Sequence, residues 1–148
     1  MLVYTSEPLD QPLEITGPLT LVLHAATSAP DTDFVGKLCD VLPDGPSRIL
    51  AEGVLRARFR ESFEKPRLVE PGRVSEYRID LVATSNVFLP GHRVRVAITS
   101  SSFPRFDRNT GTGNPPGVDG ENDLVTARQA VFHDAERASH VVLPVIPR

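Results

Sequence analysis

Three consecutive serines (Ser100, Ser101 and Ser102), four histidines and a scatter of aspartates are the residue types from which a nucleophilic hydrolase is built. That chemistry needs an exposed hydroxyl, a histidine base within hydrogen-bond reach, and an acid that orients the histidine. The G-x-S-x-G elbow, a sharp strand-to-helix turn that exposes such a serine, is absent. Ser100–Ser102 instead follow an alternating run, Val94, Val96 and Ile98 against Arg93, Arg95, Ala97 and Thr99, and so end a strand. No catalytic residue is assigned.

Metal and phosphate chemistry fare no better. His92 follows the Pro90-Gly91 turn, while His133, Asp134 and His140 bracket the last one, a spacing unlike any zinc arrangement. Hydrogen bonds to turns, or water, account for them. Asp119, Glu121 and Asp123 alternate in a glycine-containing loop and offer the oxygens that calcium takes. The EF-hand spacing is not met, however, and an acidic surface loop is the default. Gly111-Thr112-Gly113 runs into Asn114-Pro115-Pro116-Gly117, where no helix can begin with its N-terminus aimed at a phosphate. The single Cys39 lies in an apolar run and reads as a buried, inert thiol. No metal and no cofactor is expected.

What remains is a cluster of two rings and two guanidiniums: Phe103, Arg105, Phe106 and Arg108. One use would be to plug an open end of the fold, the arginines pairing Asp107 or nearby carboxylates. The other is a docking surface, since arginine and aromatic residues are enriched at interface cores. The two uses are compatible.

The elements that would hold this cluster are strands. Leu19, Leu21, Leu23 and Ala25 share one face against Thr20, Val22, His24 and Ala26. Ile49, Ala51, Gly53, Leu55, Ala57 and Phe59 form a second apolar row, and Tyr77, Ile79, Leu81 and Ala83 a third. Further strands are expected over 34–42, 127–133 and 140–145. Proline–glycine turns at Gly17-Pro18, Pro43-Asp44-Gly45, Pro71-Gly72 and Pro90-Gly91 separate them. About eight strands without intervening helices imply antiparallel pairing in an all-β sandwich or barrel. The stretch 103–124 is too long for an ordinary connection and is expected to be functional or disordered. The connection 60–73 either wanders over the surface or holds a short helical turn.

A chain of 148 residues fits one domain spanning 1–148. Its net charge of -3 and lack of a basic stripe argue against nucleic acid, whose phosphates require a basic face. No apolar run approaches the roughly 20 residues of a membrane span. No signal peptide is read at the start, which favours the cytoplasm.

Three longer strings carry more. "LVYTSEPLDQPLEITGPLTLVLHAATSAPDTDF", "GVLRARFRESFEKPRLVEPGRVSEYRIDL" and "ARQAVFHDAERASHVVLPVIPR", together with "SSSFPRFDRN", resemble the final β domain of the cocaine-esterase and X-Pro dipeptidyl-peptidase type of serine hydrolase, the CocE/NonD family. The resemblance selects a jelly-roll β-sandwich, galactose-binding-domain-like, over a barrel. It implies a Ser-Asp-His α/β-hydrolase domain ahead of this module and packed against it, so that the triad lies outside this chain. That domain is the implied partner, and a homo-oligomer remains open. In such enzymes residues of the β domain help close the acyl pocket. Asp33 and Phe34 are candidates for that role, with a core-facing Phe34 as the alternative. Phe103, Arg105, Phe106 and Arg108 are the candidates for the domain interface. The competing reading is a stand-alone carbohydrate- or ligand-binding sandwich, for which the absence of tryptophan is a poor sign.

Overall fold

The apolar row Leu19–Leu21–Leu23–Ala25 lies in the longest strand, and the remaining strands are arranged about it. The computed structural model describes residues 1–147. In chain order the strands are β1 (Leu2–Thr5), β2 (Leu13–Thr27), β3 (Asp33–Val41), β4 (Ser47–Arg56), β5 (Ser75–Phe88), β6 (Arg93–Thr99), β7 (Gln129–Phe132) and β8 (His140–Val142). Two 3-10 turns, Ala57–Phe59 and Glu121–Asp123, are the only helical elements among the described residues.

All pairings are antiparallel and give two four-stranded sheets. The first has the order β1-β6-β3-β4; in the second, β2 is flanked by β5 on one side and by β7 and β8 on the other. β7 and β8 lie end to end along β2, facing His24–Thr27 and Thr20–Val22 respectively. The core sits between the sheets, where Leu19, Leu21 and Leu23 of β2 and Tyr77, Ile79 and Leu81 of β5 meet Phe34, Leu38, Leu55 and Ile98. The β-sandwich expectation holds.

Where β4 crosses β5 the sheets touch backbone to backbone. A Cβ placed on Gly53 would lie 1.9 Å from the Asp80 carbonyl oxygen. One on Gly36 would meet Leu21 Cδ2 at 2.4 Å.

Two expected core positions face water instead, both because of bulges. Between β3 and β4 the register shifts, so that Leu38 opposes Ala51 while Cys39 opposes Ile49. The extra residue, Leu50, packs against the core and Ile49 is turned outward. In β5, Pro18 opposes Ala83 but Thr20 opposes Asp80. Val82 takes up the slack at a φ of 68°, its amide donating to Asp80 Oδ1 at 2.7 Å, and Ala83 emerges on the solvent side. The strand expected through Phe59 gives way at Ala57 to a 3-10 turn, and the 60–73 connection holds no turn of helix.

Candidate functional site

Strand alternation puts Asp33, Val35 and Lys37 on the face of β3 opposite Phe34, Gly36 and Leu38, hence on the outside of the sandwich. Register sets them directly across from Arg56, Val54 and Glu52 of β4. The outer surface of this strand pair is therefore a ladder of ion pair, apolar pair, ion pair. Arg56 grips Asp33 in a fork, Nε to Oδ1 at 2.8 Å and NH2 to Oδ2 at 3.1 Å. That bond raises the Arg56 guanidinium above its ordinary value. Just beyond the strand ends, Asp31 accepts from the Arg58 amide at 3.0 Å and from its Nε at 2.7 Å. Both aspartates are buried, and carboxylates so placed persist only when fully bonded.

The segment after β6 lies across this ladder and completes both of its ends. At one end Glu52, also buried, receives Lys37 Nζ at 3.1 Å, Arg105 NH1 at 2.6 Å and the Ser102 hydroxyl. Burial pushes the Glu52 carboxyl up. The hydrogen bonds from Ser102 and Lys37, with the charges of Lys37 and Arg105, outweigh burial and hold it below its usual range. At the other end the Asn109 amide donates to both aspartates, at 3.0 Å to Asp31 and 2.8 Å to Asp33. One neutral side chain thus ties two buried carboxylates to the loop. Half-buried Phe106 lies between the two anchors in sequence, with the Arg105 guanidinium 5.4 Å from its ring centre.

The rest of the 103–124 stretch is knotted around Asp119, which accepts from Thr110 at 2.6 Å, from Asn114 Nδ2 at 2.7 Å and from the Thr112 hydroxyl. Those bonds hold the Asp119 carboxyl below its usual value. Arg58 NH2 donates to the Asn114 carbonyl at 2.8 Å, fastening the knot to the sandwich. On this fixed platform Phe103 stays 58% exposed, with the Arg108 guanidinium 4.4 Å over its ring. Phe103, Arg108, Asp119 and Leu124 line a shallow cleft of about 270 Å³. Beside it is a polar cleft of about 340 Å³ containing Asp31, Arg56, Arg58 and Asn109.

The sequence candidates therefore divide. Arg105, Phe106 and Asp33 belong to the fastening, and Phe103 and Arg108 to the surface it presents. Phe34 is buried against Tyr77, ring centres 4.6 Å apart, and faces the core rather than any pocket. Phe103 and Phe106 lie outside the inter-sheet core and do not plug the sandwich. Glu52, Arg56, Arg58 and Asn109 were not singled out in the sequence, and Ser102 was weighed there only as a nucleophile. For Glu52 and Arg56 the signal was opposite charge at outward positions of adjacent strands, across from Lys37 and Asp33, and it is legible only with the register in hand.

Ser102 is engaged by Glu52 and Lys37, and Ser101 accepts from the Phe103 amide; no histidine bonds to either hydroxyl among the described residues. The histidines lie apart: His92 bonds Asp40 at 2.8 Å, His140 bonds the Ala138 carbonyl, and His133 packs edge-on to Tyr4. Asp123 caps the Gly120 amide and Glu121 sits 3.8 Å from Arg108, so the acidic loop is occupied with its own contacts. Burial pushes the Cys39 thiol up, as expected of an inert one.

A family model described as the X-Pro dipeptidyl-peptidase C-terminal non-catalytic domain matches residues 1–142. Over 148 residues the chain is 45% identical to cocaine esterase of Rhodococcus sp. (strain MB1 Bresler), covering all of this chain and 26% of that protein. It superposes with a TM-score of 0.94 on an aminopeptidase from a marine sediment Thaumarchaeota archaeon, at 36% identity, covering 99% of this chain and 26% of that one. An α-amino acid ester hydrolase gives a TM-score of 0.92 at 35% identity, with 98% and 25% covered. The chain spans about a quarter of the length of these relatives.

Proposed function

This chain belongs to the family of X-Pro dipeptidyl-peptidase C-terminal non-catalytic domains, and from that membership we propose that it is the accessory jelly roll of a serine hydrolase, packing on an α/β-hydrolase domain and helping to shape its substrate entrance. The names of its relatives, an esterase, an aminopeptidase and an amino acid ester hydrolase, support a parent that acts on an ester or a peptide.

The observation that carries the docking role is the fixed loop over β3–β4. Arg105, Asn109 and Asp119 immobilise it, yet Phe103 and Arg108 are left facing outward. A ring and a guanidinium already ordered before contact lose little side-chain entropy on binding, and such pairs are typical interface anchors. In this reading Phe103 and Arg108 touch the hydrolase domain, while Arg105, Phe106 and Asp33 act through the loop they hold.

Mixing the chain with the separately produced catalytic domain tests this. Phe103→Ala and Arg108→Ala should each weaken association roughly tenfold, as truncation of an interface anchor does, without lowering the unfolding temperature. Unchanged affinity in both variants would place the contact elsewhere.

A further inference from the structure

The two sheets are not of equal reach. β5 covers β4, and β2 lies over β3 and β6, but between β1, the outermost strand of the first sheet, and β7–β8 of the second the sheets part. Leu2 and Tyr4 are register partners of Ile98 and Val96, so they point to the inner face. They are nevertheless 43% and 40% exposed. Across from them, Val131 and Val141 pair with Ala25 and Leu21 and also point inward. Between these lips an apolar cleft of about 330 Å³ opens onto the core side chains Leu21, Leu23, Val96 and Ile98. β1 also leaves one backbone edge unpaired, because its only sheet neighbour is β6.

We infer that this cleft is closed by an extended apolar segment of the hydrolase chain, the one that runs into β1, lying as an added strand in the gap between β1 and β7–β8. The inference rests on the accessory-domain reading above and deepens it. Two observations identify the occupant. The relatives are about four times as long as this chain, and the family is that of C-terminal domains, so in those proteins the preceding chain leads into the strand equivalent to β1. That tether delivers its last residues to the lip of the cleft at high effective concentration. The site also has the two features that strand addition uses: a free backbone edge, and pockets below it for alternate side chains.

The probe is a synthetic peptide of about 15 residues that copies the segment directly ahead of the matched region in the Rhodococcus cocaine esterase. That length comfortably exceeds an ordinary strand. Titrated into the full 148-residue chain, it should shift the amide resonances of β1, Val96, Ile98, Val131 and Val141. Tyr4→Glu and Leu2→Glu should each weaken binding roughly tenfold, the equivalent of one lost apolar anchor. Phe103→Ala should leave it unchanged. Urea midpoints near that of the parent chain confirm that both glutamate variants remain folded. Failure of the peptide to bind, or shifts confined to the Phe103 loop, would overturn the inference. So would a dimer of the chain alone that Tyr4→Glu dissociates, because a second copy would then hold the cleft. Association with the catalytic domain through Phe103 and Arg108 is read separately, so either result can stand without the other.

Discussion

Glu52 is one carboxylate on which three donors from one strand and a loop converge, so its protonation reaches well beyond its own side chain. Its folded value lies below the ordinary 4.5, so the ionised form is favoured by folding. A group of that sign contributes stability that is fully present above the unfolded value and fades as pH falls through the lowered folded value. Glu52→Gln should therefore cost about 1–3 kcal/mol at neutral pH, the usual range when a partner is removed from a buried polar group. The gap between the variant and the parent chain should narrow below pH 4.5. Urea denaturation at three pH values between neutral and strongly acid measures both effects; a gap that does not change with pH would contradict them. Because Ser102 and Arg105 share this carboxylate, the same acid range should loosen the Phe103–Arg108 platform.

At the scale of strands, the glycines mark where the sandwich is tightest. At Gly53 the obstacle is the Asp80 carbonyl oxygen, backbone against backbone, and neither side can swing away. At Gly36 it is the tip of Leu21, which has other rotamers. Overpacking typically costs about 1–3 kcal/mol, which is the expectation for Gly36→Ala, whereas Gly53→Ala should exceed that range or abolish folding. Thermal unfolding of the two variants gives the order directly. The strands themselves were largely legible in the sequence. The first half of β5 keeps a strict alternation because one face is packed on the core, while β2 shows its core row Leu19–Ala25 although Val22 and Ala26 are buried as well. The bulges at Leu50 and Val82 were not legible, since an inserted residue leaves the composition unchanged and only flips the later side chains of its strand to the other face. β1 was missed because all four of its residues are exposed and show no contrast between faces. The loop at 103–108 stood out by its rings and arginines. Its anchor Glu52 did not, because a carboxylate on an outward strand position looks like ordinary solvated charge until a loop is seen to cover it. Phe34 was ambiguous between pocket and core until the inward face of β3 was known.

Taken whole, the described residues hold serine, histidine and aspartate without bringing the three together, and the hydroxyls at 101–102 are committed to structural bonds. The chain alone should give no saturable turnover of an activated ester, and a serine-directed phosphonate should leave it unlabelled. Labelling at Ser102 would reverse that view. The sandwich is also lopsided. Along β4–β5 the two backbones press together at Gly53 and Asp80, while at the opposite margin β1 and β7–β8 face each other across an open cleft. Amide protons leave a native protein through local openings, and those openings are easiest where few apolar contacts must break. In deuterated water the chain should therefore exchange as a graded clock. The amides of β1 should go first, those of β7 and β8 next, and those where β4 crosses β5 only at the rate of global unfolding.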